Sequence, residues 1–210
     1  MRFCVWTGVE EWLAEAATVD LRAGGMTATG TQLGAHPVPY RVDYRLDASA
    51  GFVTRELDLT AVGEGWRRRL LLRRAAEGDW SADVEEGGDP PGGAWDGERP
   101  DLSEALDIDV GFSPLTNSMP ILRQGLHREG SQEFVMAWVS VPDLHVTRSR
   151  QRYEHVRADE RGATVRFREV DSDFTAELKL DPAGLLVIYP GLAVLPSDVL
   201  NAADGWPVAE

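Results

Sequence analysis

With 210 residues, 43% of them hydrophobic, the chain can bury a substantial core within one domain, as all-β folds of this size commonly do. Its 35 acids outweigh 21 bases, and the formal charge of −14 opposes both the phosphates that nucleic-acid binding neutralises and anionic membranes, so neither partner is expected. No apolar run approaches the ~20 residues of a membrane helix, the N-terminus lacks the ~7–15-residue apolar core of a signal peptide, and a lone Cys4 offers neither an internal disulfide nor a cysteine-based metal site; a cytoplasmic chain follows as the expectation.

In chain order, Met1 to Trp6 reads as a first strand. Glu10 to Val19 fits either a short helix, with Trp12, Leu13 and Ala16 on one face, or a strand running on to Leu21. Tyr40 to Asp47 alternates apolar and polar residues without error, and Leu57 with Leu59 marks a further strand. Arg67-Arg68-Arg69 with Arg73-Arg74, interleaved with Leu70 and Leu72, is expected to form a solvated strand face. From Asp79 to Asp109 eleven acids face Arg99 alone, and this segment carries −10 of the total charge. Its centre, Glu85 to Gly93, has almost nothing apolar to bury and is read as a mobile acidic Gly/Pro-rich loop over about residues 85–101.

Asp107 to Phe112 then alternates again, with Ile108, Val110 and Phe112 on one face and Asp107 and Asp109 on the other, which is expected to be wet. The strand runs into Ser113, Thr116, Asn117 and Ser118, a group of hydroxyls and an amide held between Pro114 and Pro120. The prolines restrict φ and remove donors, so this polar corner is stiff and suited to presenting fixed hydrogen-bonding groups. Beyond it, Phe134 to Val141 is apolar on both faces, as a strand covered on both sides would be. Val146, Val165 with Phe167, Phe174 to Asp181, and Leu185 to Tyr189 supply further strands, with turn signals between them. The sum is an all-β antiparallel meander with little helix.

Enzyme signals are thin. Ser113 lies in Gly111-Phe112-Ser113-Pro114-Leu115, which is not a Gly-x-Ser-x-Gly elbow, and His36, His127, His145 and His155 lack metal-ligand spacing. Asp107 and Asp109 form the most enzyme-like pair, since paired carboxylates serve glycoside hydrolysis or bind a metal, but two acids on a wet strand face are also ordinary. No cofactor and no metal are expected.

The pattern Asp107-x-Asp109-x-x-x-Ser113-Pro114-x-Thr116-Asn117-x-x-Pro120-Ile121 also carries a family resemblance. With Trp6, Glu10, Val141-Pro142-Asp143-Leu144, Gln151, Tyr153 and Tyr189-Pro190-Gly191-Leu192, it resembles the signature of the putative glycolipid-binding protein family, a domain of unknown function. One departure is that Leu122 and a single Arg123 follow the Pro-Ile pair, where members often have two arginines. The resemblance implies a strongly curved antiparallel sheet rolled into an open barrel, like lipoprotein-carrier folds, with an apolar hollow for the acyl part of an amphiphile and its sugar at the rim.

On that reading the ligand-binding residues are Trp6, Glu10, Asp109, Ser113, Asn117, Arg123, Tyr153 and Tyr189. Asp109 would accept hydrogen bonds from sugar hydroxyls, Ser113 and Asn117 would donate and accept, Arg123 would hold a phosphate or carboxylate, and the tyrosines would add apolar faces with polar tips. Each could instead brace the fold, as an Arg123–Asp109 ion pair would. Two alternatives stand beside this one: an enzyme of glycolipid metabolism using Asp107 and Asp109, and a protein-interaction module binding through an exposed face or sheet edge.

Overall fold

The computed structural model describes residues 1–95, 97 and 100–196. Seven strands follow one another through short connections: β1 (Arg2–Gly8), β2 (Leu13–Arg22), β3 (Gly25–Gly34), β4 (Tyr40–Ala48), β5 (Glu56–Gly63), β6 (Trp66–Arg74) and β7 (Trp80–Gly88). A connector leads to β8 (Asp107–Val110) and the short helix α1 (Ser118–Gln124). The chain then continues through β9 (Ser131–Val139), β10 (Val146–Asp159), β11 (Gly162–Glu169), β12 (Thr175–Leu180), β13 (Leu186–Tyr189) and β14 (Ala193–Val194). The strands join in one sheet of order β7-β6-β5-β4-β3-β2-β1-β14-β13-β12-β11-β10-β9-β8. Every pair is antiparallel except β8 with β9. β7 and β8 end the order without pairing to each other, so the sheet is curved and unclosed, as the all-β open-barrel expectation had it. The stretch from Glu10 that fitted helix or strand resolves into a bend followed by β2.

Period-two patterning explains the curl. β4 and β12 alternate buried and exposed residues, so each strand buries one face. Bulges between His155 and Arg157 and between Lys179 and Leu180 add local bending. The inner faces close on β8 and α1. Leu46, Leu57, Leu59, Leu70 and Leu72 share one core cluster with Ile108, Val110, Leu115 and Met119, while Phe134, Tyr153, Val165, Phe167 and Leu178 cluster with Ile121. The space inside the curl is therefore filled by the chain itself, leaving there a void of about 10 Å3 beside Gln32, Val42, Tyr44 and Val110. Among the described residues, no helix is long and apolar enough to cross a membrane.

Three sequence expectations need correction, the first being the apolar hollow that the resemblance implied for an acyl chain, since the space inside the curl is filled by core side chains. Arg68 does not lie on a solvated face: it is fully buried, sharing the inward side of β6 with Leu70 and Leu72, while Arg69 turns outward to Asp58 and Glu85. Its guanidinium donates to Glu86 and to the carbonyls of Pro91, Gly93 and Asp143, which ties β6 to the connector and to the β9–β10 turn. Nor are Asp107 and Asp109 on a wet face, because all four residues of β8 are buried. The Ile108 N–H donates to Thr54 Oγ1 and the Thr54 N–H to the Leu106 carbonyl, so the segment around Thr54 covers this edge.

Candidate functional site

The polar corner begins where β8 ends. Phe112 adopts φ 62°, a left-handed conformation that a bulky side chain rarely takes, and the Ser113 N–H closes the turn onto the Val110 carbonyl. This reversal leaves the Phe112 ring partly exposed while Ser113, Thr116 and Asn117 fold inward. Asn117 sits at the N-cap of α1 but makes no side-chain cap bond. Its amide donates instead to Asp109 Oδ1 at 2.8 Å, alongside the Thr116 hydroxyl at 3.0 Å, and Gln151 Nε2 donates to Asp109 Oδ2 at 2.7 Å. Tyr153 stands behind Gln151, its hydroxyl donating to Oε1 at 2.8 Å. Burial outweighs these three donors and pushes the Asp109 pKa up to about 6.

A second buried carboxyl lies on the far side of the loop. Glu15 Oε1 accepts from the Ser113 hydroxyl at 2.8 Å and the Tyr44 hydroxyl at 2.5 Å, and burial raises its pKa to about 7. Gln32 Nε2 donates to the Gly111 carbonyl at 3.1 Å. Three oxygens in this region are buried without a protein partner: Glu15 Oε2, Gln32 Oε1 and Asn117 Oδ1. Leaving such an atom unsatisfied costs about 1–3 kcal/mol.

The corner opens into a cleft of about 570 Å3. Asp109, Ser113 and Asn117 line it together with the rings of Phe112, Trp138, Phe174 and Tyr189, the turn Pro190 to Leu192, and Glu10. Phe174 and Tyr189 lie 6.4 Å apart between ring centroids, and Phe174 is 48% exposed, which leaves part of its side chain open to a ligand. The Tyr189 hydroxyl has its pKa raised by burial and then by the charges of Asp109 and Glu169, so it stays a neutral donor. The Val9 N–H donates to the Leu192 carbonyl at 3.0 Å, which holds the β1–β2 turn against this wall. Gly191 takes φ 76°, and a Cβ there would come within 3.4 Å of Glu10 Oε1, so the Glu10 carboxylate lies close over this turn.

Across residues 3–194 the chain matches the family profile described as "Putative glycolipid-binding". The chain belongs to this family. It is also similar to a crystal structure of a DUF1089 family protein from Pseudomonas aeruginosa, at 28% identity and a TM-score of 0.64, over 85% of this chain and 90% of that one. No curated protein matches.

In this member of the family, five of the eight residues singled out from the sequence converge on the cleft: Glu10, Asp109, Ser113, Asn117 and Tyr189. The other three do not line it. Trp6 is fully buried and donates its indole N–H to the Leu186 carbonyl at 3.0 Å. Arg123 pairs with Asp107, not with Asp109, and rests on the Phe134 ring at 5.3 Å. Tyr153 is fully buried and reaches the site through Gln151. Sequence reasoning missed Glu15, Gln32 and Tyr44. The signal for Glu15 was present, since the strand alternation of Leu13, Glu15, Ala17 and Val19 puts it inward among apolar residues.

Proposed function

We propose that the cleft at the Asp109–Asn117 corner binds the head of a glycolipid-like amphiphile, whose apolar part lies against the aromatic wall of Phe112, Phe174 and Tyr189. One observation carries this reading: an open cleft joins aromatic walls to a buried polar floor in which Asn117 Oδ1 has no partner within the protein. A ligand hydroxyl donating to that oxygen relieves its desolvation cost, while exposed ring faces receive acyl or sugar C–H groups. Its volume of about 570 Å3 suits a head group and the first carbons of a chain, within the ~300–1,000 Å3 range of small-molecule sites. The family's description supports amphiphile binding in general terms. Because the interior of the curl is filled, the apolar part is assigned to the cleft and its mouth.

The test is native mass spectrometry of protein purified from cells, followed by titration with a dodecyl glucoside below its micellar concentration. A co-purifying amphiphile, or saturable binding that Phe174→Ala weakens about tenfold, is the expected result. Protein that is repeatedly empty and shows no saturable binding would end the proposal.

A further inference from the structure

We infer that the head group selected by this cleft carries a cationic nitrogen, held between Glu10 and Asp109 and faced by aromatic rings. The inference rests on the amphiphile reading and adds the charge of the ligand to it. Among the described residues, the charged groups lining the cleft are two acids, Glu10 and Asp109, with no Arg or Lys beside them. Arg123, which the sequence offered as an anchor for a phosphate, is turned to Asp107 and does not line the cleft. A phosphate or carboxylate entering here would meet two carboxylates and no counter-charge, an arrangement that desolvation makes costly.

A cation meets the opposite conditions. No cation among the described residues pairs with Glu10 or Asp109, so neither carboxylate is already neutralised by an ion pair. The bonds to Asp109 come from Thr116, Asn117 and Gln151, all neutral donors, which occupy part of its accepting capacity and leave its charge uncompensated. Phe112, Trp138, Phe174 and Tyr189 line the same cleft, and aromatic surroundings attract ammonium groups most strongly when partly desolvated. Asn117 Oδ1, buried and without a partner, adds an acceptor that a primary ammonium fills and a quaternary one does not. The charge of −14 further concentrates cations near the surface.

The experiment compares probes that share one chain: dodecylammonium, dodecyltrimethylammonium, dodecyl glucoside and dodecyl phosphate, each titrated calorimetrically below its micellar concentration at neutral pH. The expected result is one-to-one binding of the ammonium probes, about tenfold tighter than the glucoside and competing with it, with dodecyl phosphate weakest. Glu10→Gln, at an exposed position, is expected to reduce the ammonium-to-glucoside ratio about fivefold. Ammonium binding at several sites without competition from the glucoside would mark surface adsorption to an acidic protein and overturn the inference. Glucoside or phosphate binding as tightly as the ammonium probes would overturn it as well, while leaving the amphiphile reading intact. Failure of all four probes would overturn both.

Discussion

Burial favours the protonated form of a carboxyl, and Glu15 and Asp109 feel this on either side of the Ser113 loop. In the unfolded chain they titrate near their ordinary values of 4.5 and 3.8, and in the folded chain near about 7 and about 6. Below both ranges the two states bind the same protons. Between them the unfolded chain has released protons that the folded chain retains, so stability falls as pH rises through this window and levels off above about 7. With about 1.4 kcal/mol for each tenfold change in proton affinity, the two groups together amount to about 6 kcal/mol. Asp58 has the opposite sign: the bond from Arg69 lowers its pKa, and its contribution is lost only as pH falls toward the acid end. Urea unfolding across this range is therefore expected to show a decline from acid to neutral pH that Glu15→Gln flattens. Equal slopes in the two proteins would mean that Glu15 is not the titrating group. The Arg123–Asp107 pair gives a second expectation: Arg123→Ala leaves a buried carboxylate without its cation and costs about 3–5 kcal/mol in the same assay. A loss under 1 kcal/mol would show that Asp107 finds water or another donor.

At the scale of elements, the strands were legible because period-two patterning is a local property, and β4 and β12 emerge close to the bounds their alternation suggests. What a neighbouring segment covers is not local. Asp107 and Asp109 alternate with Ile108 and Val110 like any half-wet strand, yet α1, Gln151 and the Thr54 segment enclose them. Glu15 escaped notice because Glu10 to Val19 fitted a helix and a strand equally, and its inward position follows only from the strand. Trp6, Tyr153 and Arg123 have side chains suited to a ligand, and nothing in their immediate sequence distinguishes a ligand contact from the bonds they make within the protein. The same lesson applies to Arg68, whose parity with Leu70 and Leu72 pointed inward while its neighbours suggested a basic surface. Its four acceptors come from β7, the connector and the β9–β10 turn, which lie far apart in sheet order. Arg68→Lys is expected to destabilise the fold nearly as much as Arg68→Ala, by about 3 kcal/mol or more, because one ammonium cannot reproduce the planar fork. Hydrogen exchange should then report early loss of protection in the connector and at Leu144. Full stability in Arg68→Lys would reduce the role of Arg68 to a single charge.

For the molecule as a whole, an unclosed sheet leaves two edges that can template pairing with another chain. The β8 edge is covered through Thr54. β7 is the other end of the order, and its second edge pairs with no described strand. It carries Asp83, Glu85 and Glu86, mostly exposed, and two of these reach across to Arg73 and Arg69 on β6. Surface pairs of this kind add little to stability. Their sign matters more for association: a second copy approaching edge to edge brings the same carboxylates face to face, within a molecule already at −14. Replacing Asp83 and Glu85 by threonine keeps strand propensity and removes that repulsion. The expected outcome is a concentration-dependent rise in mass by size-exclusion chromatography with light scattering, larger at high salt because the remaining charge is screened within about 10 Å or less. A mass unchanged at every concentration and salt level would show that shape, not charge, protects this edge.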